Sequence, residues 1–156
     1  MTENFSLELQ GDRELTMTRI FDAPLALVWT AHSKAEHLKH WWARGHEMDG
    51  EIDFRPGGKW RFVEHGDNGE RWAFRGEFQE IVPEQLIVQT FEFEGMPGHI
   101  SVERLNFEEK DGKTYLTSMV TFDSEADRDG MVESGMEGGA RQSYLALDAY
   151  LKEMAR

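Results

Sequence analysis

The chain has 156 residues, a length that suits one core, and 39% hydrophobic with 12% aromatic side chains supply the apolar surface to build it. Seventeen basic residues against thirty acidic ones leave a net charge of -13, which repels a phosphate backbone and an anionic lipid surface and so argues against nucleic acid and membrane as partners. The absence of cysteine excludes disulfides, thiolate metal sites and cysteine nucleophiles, and it fits a reducing cytoplasm.

Met1 to Gly11 has neither a basic start nor a continuous apolar stretch of secretory type, so it reads as a flexible leader ahead of a single domain over 12–156. Glu14 to Phe21 alternates Leu15, Met17 and Arg19 against Thr16, Thr18 and Ile20, the pattern of a first strand. Asp22 offers a helix cap and Pro24 a first-turn residue, and Leu25, Val28 and Trp29 follow at helical spacing. Ser33 and Glu36 have the spacing of a capping box, with Leu38, Trp41 and Trp42 behind them on an apolar face.

From Gly50 to Phe93 the period becomes two, broken by Pro56-Gly57-Gly58, Asp67-Asn68-Gly69 and Pro83-Glu84. Trp60 and Phe62 share one strand face, while Trp72, Phe74, Gly76 and Phe78 share one face of the next strand. Two more strands, Ile100 to Glu108 and Thr114 to Phe122, flank an Asp111-Gly112 hairpin turn, giving about seven strands in an antiparallel meander. A short helix is expected near Ala126 to Ser134, then a flexible joint through Gly139. The chain ends in a helix carrying Ala140, Tyr144, Leu147 and Leu151 on one stripe, flanked by Leu145 and Met154.

Three runs occur in one order: Phe21-x-Ala23-Pro24-x-x-x-Val28-Trp29, then Glu36-His37-Leu38-x-x-Trp41-Trp42, then Phe54-Arg55-Pro56-Gly57-Gly58-x-Trp60. With the strand before them, they resemble the START-like (SRPBCC) helix-grip superfamily and, within it, the family named for homology to the activator of the heat-shock-protein ATPase. The resemblance runs from about Leu15 to the last helix. It implies an α+β fold of order β-α-α-β(6)-α, an incurved antiparallel sheet around the C-terminal helix, and a cavity between them. Two departures stand out: Ser33-Lys34-Ala35 replaces the commoner Thr-Asp-Pro type of helix entry, and Gly135 to Gly139 lacks a tryptophan often found near that joint.

A curved sheet gripping a helix would assemble an aromatic wall, and the ligand-binding residues expected are Trp41, Trp60, Phe62, Trp72, Phe74, Met119 and Tyr144. The competing expectation is a solid aromatic core with no hollow. Gln89, His99, Arg104 and Arg141 are polar groups able to orient a ligand, with Arg141 at the rim; Arg75 falls on the outer face. His32, His37, His40 and His46 cluster in sequence, and His37 and His40 are three apart, but no acidic third ligand stands at an established metal-motif spacing, so neither metal nor cofactor is expected.

No Gly-x-Ser-x-Gly elbow occurs, and binding of a small hydrophobic molecule is favoured over catalysis. Two alternatives stay open. One is acid–base chemistry of the cyclase or aromatase kind by His99, His46 or a buried Glu64. The other is an interaction module with a chaperone, or a second copy of the chain, as partner.

Overall fold

Residues 5–156, which the computed structural model describes, form eight strands and four helices. Strands β1 (Phe5–Gln10) and β2 (Glu14–Phe21) lead to helices α1 (Leu25–Ser33) and α2 (Ala35–Leu38). Six strands follow: β3 (Glu47–Ile52), β4 (Lys59–His65), β5 (Arg71–Val82), β6 (Leu86–Phe93), β7 (Ile100–Lys110) and β8 (Lys113–Thr121). Helices α3 (Glu125–Glu133) and α4 (Met136–Met154) complete the chain. All strands pair antiparallel in one sheet of order β1-β2-β8-β7-β6-β5-β4-β3, and the α+β helix-grip architecture is the one the sequence implies.

Alternation sets the inner face. Leu15, Met17, Arg19 and Phe21 are buried on β2, Trp60 and Phe62 on β4, and Thr114, Leu116, Ser118 and Val120 on β8. The β7–β8 hairpin turns at Asp111 and Gly112, whose φ values of 55° and 77° are those of the type I′ turn that suits strand twist. A register shift between Phe78 and Glu80 leaves Gln79 as a bulge in β5, which bends the sheet inward. At Gly76 a side chain is sterically forbidden: a Cβ there would collide with the Thr90 carbonyl oxygen and the Trp60 indole, so the indole lies directly on the sheet backbone.

Several local expectations are corrected. The leader is a strand from Phe5 onward, in register from Phe5 opposite Arg19 to Gln10 opposite Glu14; the four residues before it lie outside the described residues. Phe5 and Leu7 pack on the cluster of Leu15, Met17, Val120 and Phe122, which is what holds an otherwise polar segment in place. Asp22 does not cap α1. Its N-cap is Pro24, and the Leu25 amide donates instead to Glu109 Oε1 at 2.7 Å, a carboxylate from β7 placed at the positive end of the helix. The Ser33–Glu36 capping box is likewise absent, because Ser33 Oγ turns back to the Thr30 carbonyl and Lys34 is the N-cap of a four-residue α2.

The final helix is longer than its apolar stripe suggests. Gly135, at φ 94°, makes the break, and α4 runs through Gly138 and Gly139 where a flexible joint is expected. Leu147 and Leu151 are buried, and α4 is tied to its surroundings by the Arg19–Asp148 ion pair, by Ser143 Oγ donating to the Trp42 carbonyl at 2.9 Å, and by the Tyr150 hydroxyl 2.6 Å from His37 Nδ1. Among the described residues no helix is long and apolar enough to cross a membrane.

Helix α1 turns Val28, Ala31 and His32 inward. The His32 ring lies between Trp41 and Phe107, at centroid distances of 4.9 and 5.3 Å, and its Nδ1 is 2.8 Å from the Val28 carbonyl. A carbonyl only accepts, so Nδ1 carries the hydrogen. Burial lowers its pKa to about 4, against a partial upward pull from the Val28 bond.

Two outcomes follow. A Cβ at Gly138 or Gly139 would meet nothing within 4 Å, so alanine at either position should stabilise the fold by about 0.5–1 kcal/mol, read as a higher urea midpoint at unchanged slope. As pH falls from 6.5 towards about 4, the unfolded chain protonates His32 while the folded chain does not, so stability present above that window is lost within it, by about 3 kcal/mol. His32→Phe should abolish that share of the acid-side decline in urea titrations at stepped pH.

Candidate ligand cavity

The interior is divided. One hydrophobic cluster is built on Phe21, Val28, Trp41, Trp60, Phe62 and Leu147, and a second, smaller one on Leu15, Met17, Val120 and Phe122. Single domains usually have one contiguous core. Here a cavity of about 290 Å³ lies where the two fail to merge, with Trp60 and Leu105 of the first cluster and Met17 and Val120 of the second in its wall. Its roof is the N-terminal half of α4, where the small residues Gly139, Ala140 and Ser143 line it.

Five of the seven expected ligand-binding residues line this space: Trp41, Trp60, Phe62, Phe74 and Tyr144. Trp41 stacks on Tyr144 at 6.4 Å with 23° between planes and is fixed by Nε1 donating to the Ala31 carbonyl at 3.1 Å. Trp60 and Phe62 meet at 4.8 Å, and Phe74 packs on Trp42 and Phe91 at 5.1 and 5.6 Å. Among the described residues, His32 Nε2 and Trp60 Nε1 are buried without a hydrogen-bond partner.

The other two do not belong to the wall. Trp72 is on the inner face with Phe74 but beyond the end of the cavity, opposite Glu64 and against the His46 ring at 6.1 Å. Met119 points to the outer face, 37% exposed, because its neighbours Ser118 and Val120 take the inward positions. Of the polar candidates, Gln89 lines the cavity. Arg104 is exposed on the outer face opposite Met119, and Arg75 is outside as expected, paired with Glu92 at 3.0 Å. His99 is on the surface with Asp127, 2.9 Å away. Arg141 is not in the lining; its guanidinium lies 4.7 Å over the Phe5 ring and bonds Glu137.

The polar end of the cavity is a patch across β6, β7 and β8 formed by Gln89, Ser101, Glu103 and Ser118, with Tyr144 above it. Glu103 is on the inward alternation Ser101-Glu103-Leu105-Phe107, a carboxylate on an otherwise apolar face, and that spacing marks it in the sequence. Gln89 Nε2 donates to Glu103 Oε1 at 2.8 Å. Glu103 is half-buried on the cavity wall, and burial raises its pKa, with the Gln89 bond pulling the other way. The Tyr144 hydroxyl is pushed up to about 12 by burial and by the charge of Glu103, against the lowering effects of the adjacent Ser118 hydroxyl and of Arg19.

Glu64 is 1% exposed and receives Arg44 Nη2 and His46 Nδ1 on one oxygen, each at 2.6 Å. Arg44, whose φ is 58°, also lines the cavity. The histidine pair His37 and His40 is used for packing: the first reaches the Tyr150 hydroxyl and the second stacks on its ring at 4.7 Å.

Solved structures of the same fold were found in several bacteria. Protein Ms6760 of Mycobacterium smegmatis is 24% identical with a TM-score of 0.85, over 96% of this chain and 98% of that one. An Arthrobacter aurescens protein is 25% identical with a TM-score of 0.86, over 95% and 91%. CalU16 of Micromonospora echinospora is 18% identical with a TM-score of 0.65, over 98% and 90%. No protein with a curated description matches. The family model for activator of Hsp90 ATPase homolog 1-like proteins matches residues 22–152, from just ahead of α1 almost to the end of α4, and the chain belongs to that family.

Proposed function

We propose that the chain binds a small, mostly apolar molecule in the cavity under α4, with the polar part of the ligand at the Gln89, Glu103 and Tyr144 end. The observation that carries this reading is the unfilled space between two separate hydrophobic clusters, walled by aromatic rings and supplied with a few convergent polar groups. Its volume of about 290 Å³ is at the lower end of ligand pockets and suits a small guest. An empty apolar space of this size costs stability, because its lining lacks contacts on one side.

One observation favours a second reading. Glu103, its pKa raised by burial, faces the same hollow as Tyr144, which is an arrangement for proton transfer to a bound substrate. The helix-grip resemblance includes cyclases and aromatases, and turnover of an aromatic polyketide substrate, lost in Glu103→Gln while binding persists, would establish it.

The binding reading is tested with the neutral probe N-phenyl-1-naphthylamine, whose emission rises in apolar surroundings. Saturable one-to-one binding is expected. Ala140→Trp, which fills the roof, should weaken it at least about tenfold, equivalent to about 1.4 kcal/mol, without lowering the urea midpoint. Trp72→Ala, outside the wall, should leave affinity within about twofold. Binding insensitive to Ala140→Trp, or no binding, contradicts the reading.

A further inference from the structure

Among the described residues Glu103 is the one acidic side chain in the cavity wall, and none of them pairs it with a cation. Other buried carboxylates are treated differently: Glu64 receives Arg44 and His46, and Glu92 receives Arg75 and the Gly98 amide. Glu103 has only the neutral Gln89 amide on Oε1, and Oε2 has no hydrogen-bond partner among the described residues. An unpaired carboxyl in an apolar hollow is costly, so its retention calls for a partner from outside the chain.

The cations near the cavity are already committed. Arg44 donates to Glu64, and Arg19 donates to Asp148 and to the Ile20 carbonyl. His32 is neutral, with its one ring hydrogen on the Val28 carbonyl. The cavity wall that holds the carboxyl also includes the rings of Trp41, Trp60 and Tyr144, and aromatic faces attract a cation where they exclude water. The overall charge of -13 draws cations towards the molecule and repels anions.

We infer that the ligand of this cavity is a small aromatic or alicyclic amine, its body against the Trp41, Trp60 and Phe74 rings and its ammonium group paired with Glu103 Oε2. This rests on the cavity being open to a guest, as proposed above, and adds the chemical class of that guest. Carboxylic acids of the same shape are disfavoured, because they would place a second negative charge beside Glu103.

Three probes with one body separate the two ideas: 2-naphthylmethylammonium, 2-naphthalenemethanol and 2-naphthoate, titrated at pH 8 by calorimetry against the whole protein. The amine should bind about tenfold more tightly than the alcohol, and the naphthoate most weakly. In Glu103→Gln the advantage of the amine over the alcohol should vanish, and a urea midpoint no lower than that of the unsubstituted protein shows that the variant keeps its fold. The ranking in the unsubstituted protein stands as a test whether or not that variant folds. Alcohol binding with no preference for the amine, a preference that survives Glu103→Gln, or naphthoate binding tightest overturns the assignment and leaves the cavity reading standing. Failure of all three probes to bind overturns both.

Discussion

Leu147 and Leu151 seat the C-terminal half of α4 in the larger hydrophobic cluster, whereas in its N-terminal half Met136 and Ala140 pack on the smaller one and Gly139, Ala140 and Ser143 line the cavity between. The helix is held at the C-terminal end by the Arg19–Asp148 ion pair and by Tyr150 against α2, and near its middle by the Ser143 bond to Trp42. It therefore spans the cavity as a stiff beam, packed on the larger cluster at one end and the smaller at the other. The β5 bulge and the bare backbone at Gly76 deepen the floor beneath it. The separation of the hydrophobic clusters and the position of the cavity follow from this attachment.

The same geometry decides which charges are useful. A carboxylate sealed into the core has to be paired, and Glu64 and Glu92 are. Glu103 stands on the floor beneath the N-terminal half of α4, where a guest and not the protein supplies the counter-group. Tyr144 links the two halves of the arrangement: its ring stacks on Trp41 as part of the wall, and its hydroxyl meets Ser118 at the polar end. A ligand is thus offered several ring faces for affinity and one patch for orientation.

Much of this was legible in the residues. The alternation on β2, the pairing of Trp60 with Phe62 and the Asp111-Gly112 turn are local signals, and the structure keeps them because local preference and global packing agree there. Met119 and Glu103 were equally legible, one excluded from the inner face by its parity with Arg104 and the other included by its parity with Leu105. What period two does not contain is distance along a strand, so it gives Trp72 the correct face without revealing that α4 does not extend over it. Nor do local rules see partners far away in the chain. Asp22 and Ser33 look like caps, yet Glu109 reaches the start of α1 from 84 residues on, and β1 is held by Val120 and Phe122 at the other end of the sequence.

The central claim is that the space between α4 and the sheet is an accessible apolar hollow, and crystals of the protein under xenon pressure test it most directly. Xenon enters dry apolar cavities without needing a hydrogen-bond partner or a particular shape. The account predicts a xenon peak among Trp41, Trp60, Phe74 and Leu105, beneath Gly139 and Ala140. A crystal with no xenon there, and with side chains in contact across that gap, would contradict it.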